Sequence, residues 1–173
     1  MSLDGVFDAN TMPEWYLPYD SEARQRYIRD GILSADAFLM GRVTYEMLFP
    51  YWSTLKNNEM GVAAKLNSGP KFVVSSTLDK ASWNNTTIIK SNVVENIKQL
   101  KAQPGAEIRI DGSATLVRSL MDTGLVDEYR FLVHPVIAGK GLRFFKEGKH
   151  PNPLKLIKNV TLDKDVVLLC YTP

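Results

Sequence analysis

The sequence predicts an α/β fold on a mostly parallel central sheet, with an antiparallel hairpin at its C-terminal end. Two observations carry this. Short apolar runs of strand length alternate with amphipathic stretches of helical period along most of the 173 residues, the pattern of strand–helix–strand crossovers. Residues 154–162 and 166–172 break the alternation and read as two neighbouring strands about a turn near Asp163-Lys164, an antiparallel edge on the sheet. The length suits one domain with a sizeable core.

The elements follow in order. Ser2-Leu3-Asp4-Gly5 opens the chain with an Asp-Gly turn signal. The loop after it holds Met12, Pro13, Trp15, Leu17 and Pro18, which are apolar for a loop and therefore packed or used. Asp20 or Ser21 caps a helix to about Leu33, with Ala23, Tyr27 and Ile32 expected inward and Arg24, Arg26 and Arg29 toward solvent. Ala37-Phe38-Leu39-Met40 reads as a strand covered on both faces. Gly41 turns the chain into a helix over residues 42–48, which Pro50-Tyr51-Trp52 breaks. A short helix over 59–67 ends at Gly69-Pro70. Lys71-Phe72-Val73-Val74-Ser75-Ser76 is a second buried strand and 86–90 a third. Ser91 or Asn92 caps a helix with Val93, Val94, Ile97 and Leu100 on one face. The strand 107–110 leads through Asp111-Gly112-Ser113 into a helix with Leu116, Val117, Leu120 and Met121 inward. Residues 127–134 form the next strand and 135–141 a glycine-containing loop.

Composition excludes several functions. A chain 45% hydrophobic and 23% charged is ordinary globular protein, and a net charge of +2 is too mild to argue for nucleic acid. The pairs Lys98/Lys101 and Lys155/Lys158 read as solvated faces. Cys170 is the only cysteine, set in an apolar run as a buried, inert thiol, so no internal disulfide or cysteine cluster forms. His134 and His150 are far apart and lack the carboxylate spacing of a zinc site, so no metal is expected. No apolar segment is long enough for a bilayer and no signal-peptide pattern opens the chain, so no membrane partner and a cytoplasmic location are the default expectations.

Chemistry concentrates where strands give way to helices. In a parallel sheet ligands bind outside the carboxyl ends of the strands. That rule places Gly41-Arg42-Val43-Thr44, Ser75-Ser76-Thr77 and Gly112-Ser113-Ala114-Thr115 on one rim. Gly41 permits a sharp turn and a close approach. The amides after it are open donors of a helix N-terminus, which favours anions. Arg42 adds a planar charged fork suited to phosphate and Thr44 a hydroxyl. Many strand–glycine–helix joints bind nothing, but two of them with a hydroxyl pair suit a long ligand carrying several phosphates. The sequence has no Gly-x-x-x-x-Gly-Lys-Ser/Thr run, which excludes a P-loop, and no Gly-x-Gly-x-x-Gly after a strand, which argues against an ordinary dinucleotide fingerprint.

Taken together and in order, Ser2-Leu3-Asp4-Gly5, Leu39-Met40-Gly41-Arg42-Val43-Thr44-Tyr45-Glu46, Phe72-Val73-Val74-Ser75-Ser76, Asp111-Gly112-Ser113-Ala114-Thr115-Leu116 and His134-Pro135-Val136-Ile137-Ala138-Gly139-Lys140-Gly141 resemble the dihydrofolate-reductase-like family. The branch they resemble is that of the RibD C-terminal reductase domain, and the resemblance spans nearly the whole chain. It implies a three-layer α/β/α fold and NADPH as cofactor. Position by position, it implies Gly41, Arg42 and Thr44 (with Val43 between them) at the cofactor's phosphates, Arg42 on the 2′-phosphate. Ser75 and Ser76, with Thr77 following, match the hydroxyls at the adenosine end. Gly112, Ser113, Ala114 and Thr115 match the turn whose helix start takes the pyrophosphate. Asp4 and Gly5 match the turn beside nicotinamide and substrate, and Gly139 to Gly141 a loop near the active site. Two departures stand out. The family's long apolar strand before Ser-x-Asp-Gly is missing, which would leave interior backbone groups without partners; a start lying upstream, or a structure that fills the gap another way, is expected. Ser113 also stands where dihydrofolate reductases carry a further glycine.

Hydride transfer needs an oriented nicotinamide and a proton for the reduced substrate. The stretch from Met12 to Asp20 is similar to the dihydrofolate reductase segment that ends in its active-site acid, which implies Asp20 as the residue that binds or protonates substrate. Its place just before a helix gives the competing reading, a cap. Asp4 is the second catalytic candidate, although an Asp-Gly turn needs no function. The expected function is an NADPH-dependent reductase passing hydride to a small heterocyclic (pterin- or pyrimidine-like) or carbonyl substrate. The alternative is a non-catalytic nucleotide-binding or structural protein of the same fold. Apolar surface on the terminal hairpin and at Phe144-Phe145 makes a homodimer the expected assembly.

Overall fold

The structure is a computed structural model that describes residues 1–146 and 153–173, so His150 lies outside the described residues. In chain order the helices and strands are α1 (Met12–Trp15), α2 (Glu22–Ser34), β1 (Ala37–Gly41), α3 (Arg42–Trp52), α4 (Ala63–Ser68), β2 (Lys71–Val74), β3 (Thr86–Ile89), α5 (Val93–Lys101), β4 (Ile108–Arg109), α6 (Ala114–Leu120), β5 (Tyr129–Val133), β6 (Lys155–Thr161) and β7 (Val167–Thr172), joined by short 3-10 turns. The fold is α/β. Its described residues form two compact units, residues 28–125 and residues 1–27 with 126–173. Among them no helix is long and apolar enough to cross a membrane.

Residues 28–125 are organised by a four-stranded parallel sheet in the order β3-β2-β1-β4. All five residues of β1 are buried, as its unbroken apolar run requires of a strand with a neighbour on each side. Phe38, Met40 and Val73 from the strands pack with Ile32, Ala35, Tyr45, Val62, Leu66 and Trp83 in one hydrophobic cluster. α3 continues past the expected break: Pro50 sits inside it and the helix ends at Trp52, with Ser53 N donating to Phe49 O. A proline in the last turn forfeits one backbone hydrogen bond without ending the turn it occupies. The start of α5 also differs. Asn92 occupies the cap position with left-handed backbone (φ 50) and its side chain makes no cap bond. Instead Asn96 Nδ2 donates to Ser91 O and Asn92 O. Val94 on this helix is exposed, not inward.

Lys71, at the first position of β2, is 1% exposed. Its ammonium donates to Leu66 O at 2.6 Å and Gly69 O at 2.7 Å and lies 4.9 Å from the centre of the Trp83 ring. It therefore closes the carbonyl end of α4, where a cation is favoured. Burial pushes its pKa down to about 8.

Residues 1–27 and 126–173 hold a three-stranded antiparallel sheet in the order β5-β7-β6. This corrects the expectation that the hairpin forms the edge of the parallel sheet. β5 runs its full length along β7, from Tyr129↔Tyr171 to Val133↔Val167. β4 has only two residues and spends them on β1. Two sheets result. Met1, Ser2 and Leu3 run beside the end of β5: Met1 N donates to Leu132 O, His134 N to Met1 O and Leu3 N to Val136 O. Val6, Tyr129, Phe144, Val166, Leu168 and Cys170 are buried in this unit. A second correction concerns α2, whose inward row is Arg24, Ile28 and Ile32, spaced four apart; Arg24 is 2% exposed and does not face solvent.

Lys71→Met keeps the apolar stem and removes the ammonium, leaving the buried carbonyls of Leu66 and Gly69 without their donor. A loss of about 2–4 kcal/mol of unfolding free energy is expected, measured as a lower urea midpoint with an unchanged slope.

Candidate functional site

The strand order brings the three predicted joints together within residues 28–125. Gly41 ends β1 opposite Val74, the last residue of β2, so the Ser75-Ser76-Thr77 turn lies beside it. On the other side β4 leads into Gly112 and Ser113, and Gly41 N donates to Gly112 O at 3.3 Å. The Gly112–Ser113 peptide is cis. A Cβ placed on Gly41 would lie 2.6 Å from Ser113 Oγ, so glycine here leaves that hydroxyl in place against α6.

Each joint is built differently. Gly41 is the N-cap of α3 and offers no side chain, so the amides of Arg42, Val43 and Thr44 have no side-chain acceptor. Ser113 caps α6, its Oγ accepting from Leu116 N at 3.3 Å. Ser75 Oγ accepts from Thr77 N at 3.2 Å and Leu78 N at 2.9 Å and so holds its own turn, while Ser76 and Thr77 are exposed. Thr44 and Ala114 are buried, Val43 is exposed, and Thr115 accepts from Arg118 Nη2. Arg42 Nη1 donates to Glu46 Oε2 at 2.6 Å, both side chains being nearly half exposed. An uncapped helix start, a glycine contact and an arginine fit the diphosphate and phosphate groups of a dinucleotide. A cleft of about 460 Å³ elsewhere in this unit is lined by Phe49, Lys56, Asn67, Trp83 and Asn84. Its Asn67 amide is already spent on Trp52 O, Leu55 O and Trp83 Nε1.

The two carboxylates singled out as catalytic lie in the other unit, and both are engaged. Asp4 accepts from Ser2 Oγ at 2.6 Å and from Ala138 N and Gly139 N at 3.0 Å each. It thereby ties the Asp-Gly turn to the glycine loop. These hydrogen bonds, that of Ser2 foremost, hold its pKa at about 2. Asp20 accepts from Arg24 Nη2 at 2.7 Å and Gln25 Nε2 at 2.6 Å. The Arg24 hydrogen bond holds its carboxyl below the usual range. Ser21, not Asp20, caps α2, through Arg24 N to Ser21 Oγ at 3.3 Å.

Around Asp20 the structure assembles residues that sequence reading missed. Arg24 Nη1 donates to Tyr16 O at 2.8 Å and lies 3.3 Å from His134 Nε2, and the guanidinium carbon sits 4.0 Å from the Tyr16 ring centre. Arg24 Nε is buried without a partner. His134 is 1% exposed, ringed by Trp15, Tyr16 and Tyr19. The permanently charged guanidinium makes Nε2 the acceptor and leaves Nδ1 to donate to Met1 O at 3.0 Å. The sequence signals were the i,i+4 spacing of Asp20 and Arg24 and the place of His134 at the head of the His134–Gly141 motif, and neither says that the two side chains meet.

Burial pushes the His134 pKa down to about 4. Above about pH 7.5 the imidazole is neutral folded or unfolded and contributes no pH dependence. As pH falls from 6.5 toward 4 the unfolded chain takes up a proton that the native chain refuses, so stability declines, by up to roughly 3 kcal/mol. Urea unfolding at pH 7, 5.5 and 4.5 checks this. His134→Gln is expected to flatten the decline, and an equal decline in both proteins would contradict the assignment.

Comparison with known proteins gives this geometry its family. The chain is 31% identical over 146 residues to the uncharacterized protein YyaP of Bacillus subtilis (strain 168), a match covering 82% of this chain and 76% of YyaP. Among solved structures it resembles a Shewanella sp. PV-4 protein ascribed to riboflavin biosynthesis, with a TM-score of 0.73, 21% identity and coverage of 99% and 94% of the two chains. It also resembles the diaminohydroxyphosphoribosylaminopyrimidine deaminase/5-amino-6-(5-phosphoribosylamino)uracil reductase of Thermotoga maritima, with a TM-score of 0.69 and 15% identity, matching 99% of this chain but only 54% of that one. At such identities the structures speak to the fold. The model of the RibD C-terminal domain matches residues 1–168, and the chain belongs to that family.

Proposed function

We propose that the protein is an NADPH-dependent reductase that passes hydride to a small heterocyclic, pterin- or pyrimidine-like, or carbonyl substrate. The observation that carries this is the side-by-side meeting of two strand–glycine–helix joints, one with an uncapped helix start, in a chain of a reductase-type family. When bound, the nicotinamide supplies the hydride. The chain's own residues do the rest. The amides of Arg42, Val43 and Thr44 and the Gly112–Ser113 turn bind phosphate oxygens, and Arg42 takes the 2′-phosphate. Ser76 and Thr77 present hydroxyls beside the adenosine end. In this reading Asp20 acts as a hydrogen-bond acceptor that orients a substrate N–H, because a carboxylate held ionised by Arg24 is a poor proton donor at neutral pH.

One observation favours the second reading, a nucleotide-binding module without turnover: Asp4 and Asp20 already accept internal hydrogen bonds. A homodimer is also proposed. Its available surface is Leu156, Ile157 and Val160 on β6 together with Phe145, all exposed.

Calorimetric titration with NADPH separates these readings from a purely structural protein. Binding is expected in the wild type, weakened about 10- to 100-fold by Arg42→Ala through loss of a charge-assisted contact. Absorbance at 340 nm with pterin, pyrimidine and carbonyl panels then distinguishes reductase from module. Absence of NADPH binding would discard both. Sedimentation velocity decides the dimer, and a monomer throughout the micromolar range would remove it.

A further inference from the structure

Arg42 occupies the first position of α3, and no acidic residue shares its turn. A cation there opposes the helix dipole, which favours negative charge at this end. Its partner, Glu46, lies one turn downstream, so the pair runs in the less favourable order for an i,i+4 ion pair. Both side chains are nearly half exposed, so the pair contributes little to folding. Local rules are thus broken at one residue with almost nothing gained in the free protein, a pattern that marks positions kept for a ligand. In the dinucleotide reading above, the missing anion is a ligand phosphate at the uncapped start of α3.

We infer that Glu46 is a specificity-determining residue: its carboxylate stands in for the ligand's phosphate on Arg42, and the exchange of one for the other sets how strongly the protein distinguishes a 2′-phosphate from a 2′-hydroxyl. This rests on the dinucleotide reading above. Only Arg42 Nη1 is taken by Glu46, through a single oxygen. A 2′-phosphate dianion approaching the guanidinium meets the Glu46 carboxylate as a like charge, which raises the cost of its binding. A ribose 2′-hydroxyl meets the same carboxylate as an acceptor, the role an acidic residue plays toward ribose in other dinucleotide sites. Glu46 therefore narrows the preference for NADPH over NADH that Arg42 alone would create. It acts both by holding Arg42 and by its own charge, and takes no part in the reaction itself.

The test is the ratio of dissociation constants for NADPH and NADH, read by calorimetry on the full chain. Glu46→Gln keeps the side-chain length and removes the charge. It is expected to tighten NADPH about three- to tenfold, as removal of one screened like charge near a dianion does, and to leave NADH unchanged or up to threefold weaker. Added to Arg42→Ala, Glu46→Gln is expected to tighten NADPH less than it does alone, because the competition for the guanidinium is gone and only the direct like-charge repulsion remains. Glu22→Gln, which breaks the more exposed Arg26 pair on α2, serves as the surface-charge control and is expected to leave the ratio alone. An unchanged or smaller preference for NADPH in Glu46→Gln overturns this inference while leaving the dinucleotide site standing. Failure of the wild type to bind either nucleotide overturns both.

Discussion

The approach of Gly41 to the Gly112–Ser113 turn is the constraint on which the candidate site depends. Parallel pairing alone puts β1 and β4 side by side, but it does not bring the starts of α3 and α6 together. Glycine at the end of β1 keeps that approach free of side chain, because a Cβ there would displace Ser113 Oγ from its place as the cap of α6. With glycine there, Gly41 N reaches Gly112 O, and two loops become one continuous backbone surface. The β1–β2 register sets Ser75-Ser76-Thr77 on the other flank. Packing beneath is uncompromising, all of β1 being buried, so the surface is held on a rigid element.

The second constellation has a different logic. A buried arginine beside a buried histidine is costly unless each finds a defined partner. Asp20, Tyr16 O and the Tyr16 ring supply them for Arg24, and Met1 O supplies one for His134. The result is a histidine kept neutral and an aspartate kept ionised. Orientation through hydrogen bonds suits such a pair better than proton donation. Asp4 plays a related part at the glycine loop, where one carboxylate gathers the Ala138 and Gly139 amides.

The sequence made the parallel elements legible because they depend on local patterns: a continuous apolar run for β1, a hydroxyl-ended run for β2, and the Asp111-Gly112-Ser113 turn that leads into α6. The three joints were legible for the same reason, since the sheet rule fixes their rim once strand order is assumed. What escaped was set by pairing over long distances. β5 chose β7 over β4, which no local propensity encodes, and so the described residues form two sheets where one was expected. Arg24 escaped because a helical wheel assigns charge to solvent, whereas here the aromatic residues 15, 16 and 19 and the backbone near His134 enclose it. The reach of α3 beyond Pro50 escaped because proline forbids a bond to the preceding turn but not the turn itself.

The most direct test of the account is an amide NMR titration of the full chain with NADPH. The largest shifts are predicted at Arg42, Val43 and Thr44 and at Ser113, Ala114 and Thr115, moving together with one dissociation constant, because the two joints form a single surface. Shifts at one joint without the other, or centred on Asn67 and Asn84, would contradict it.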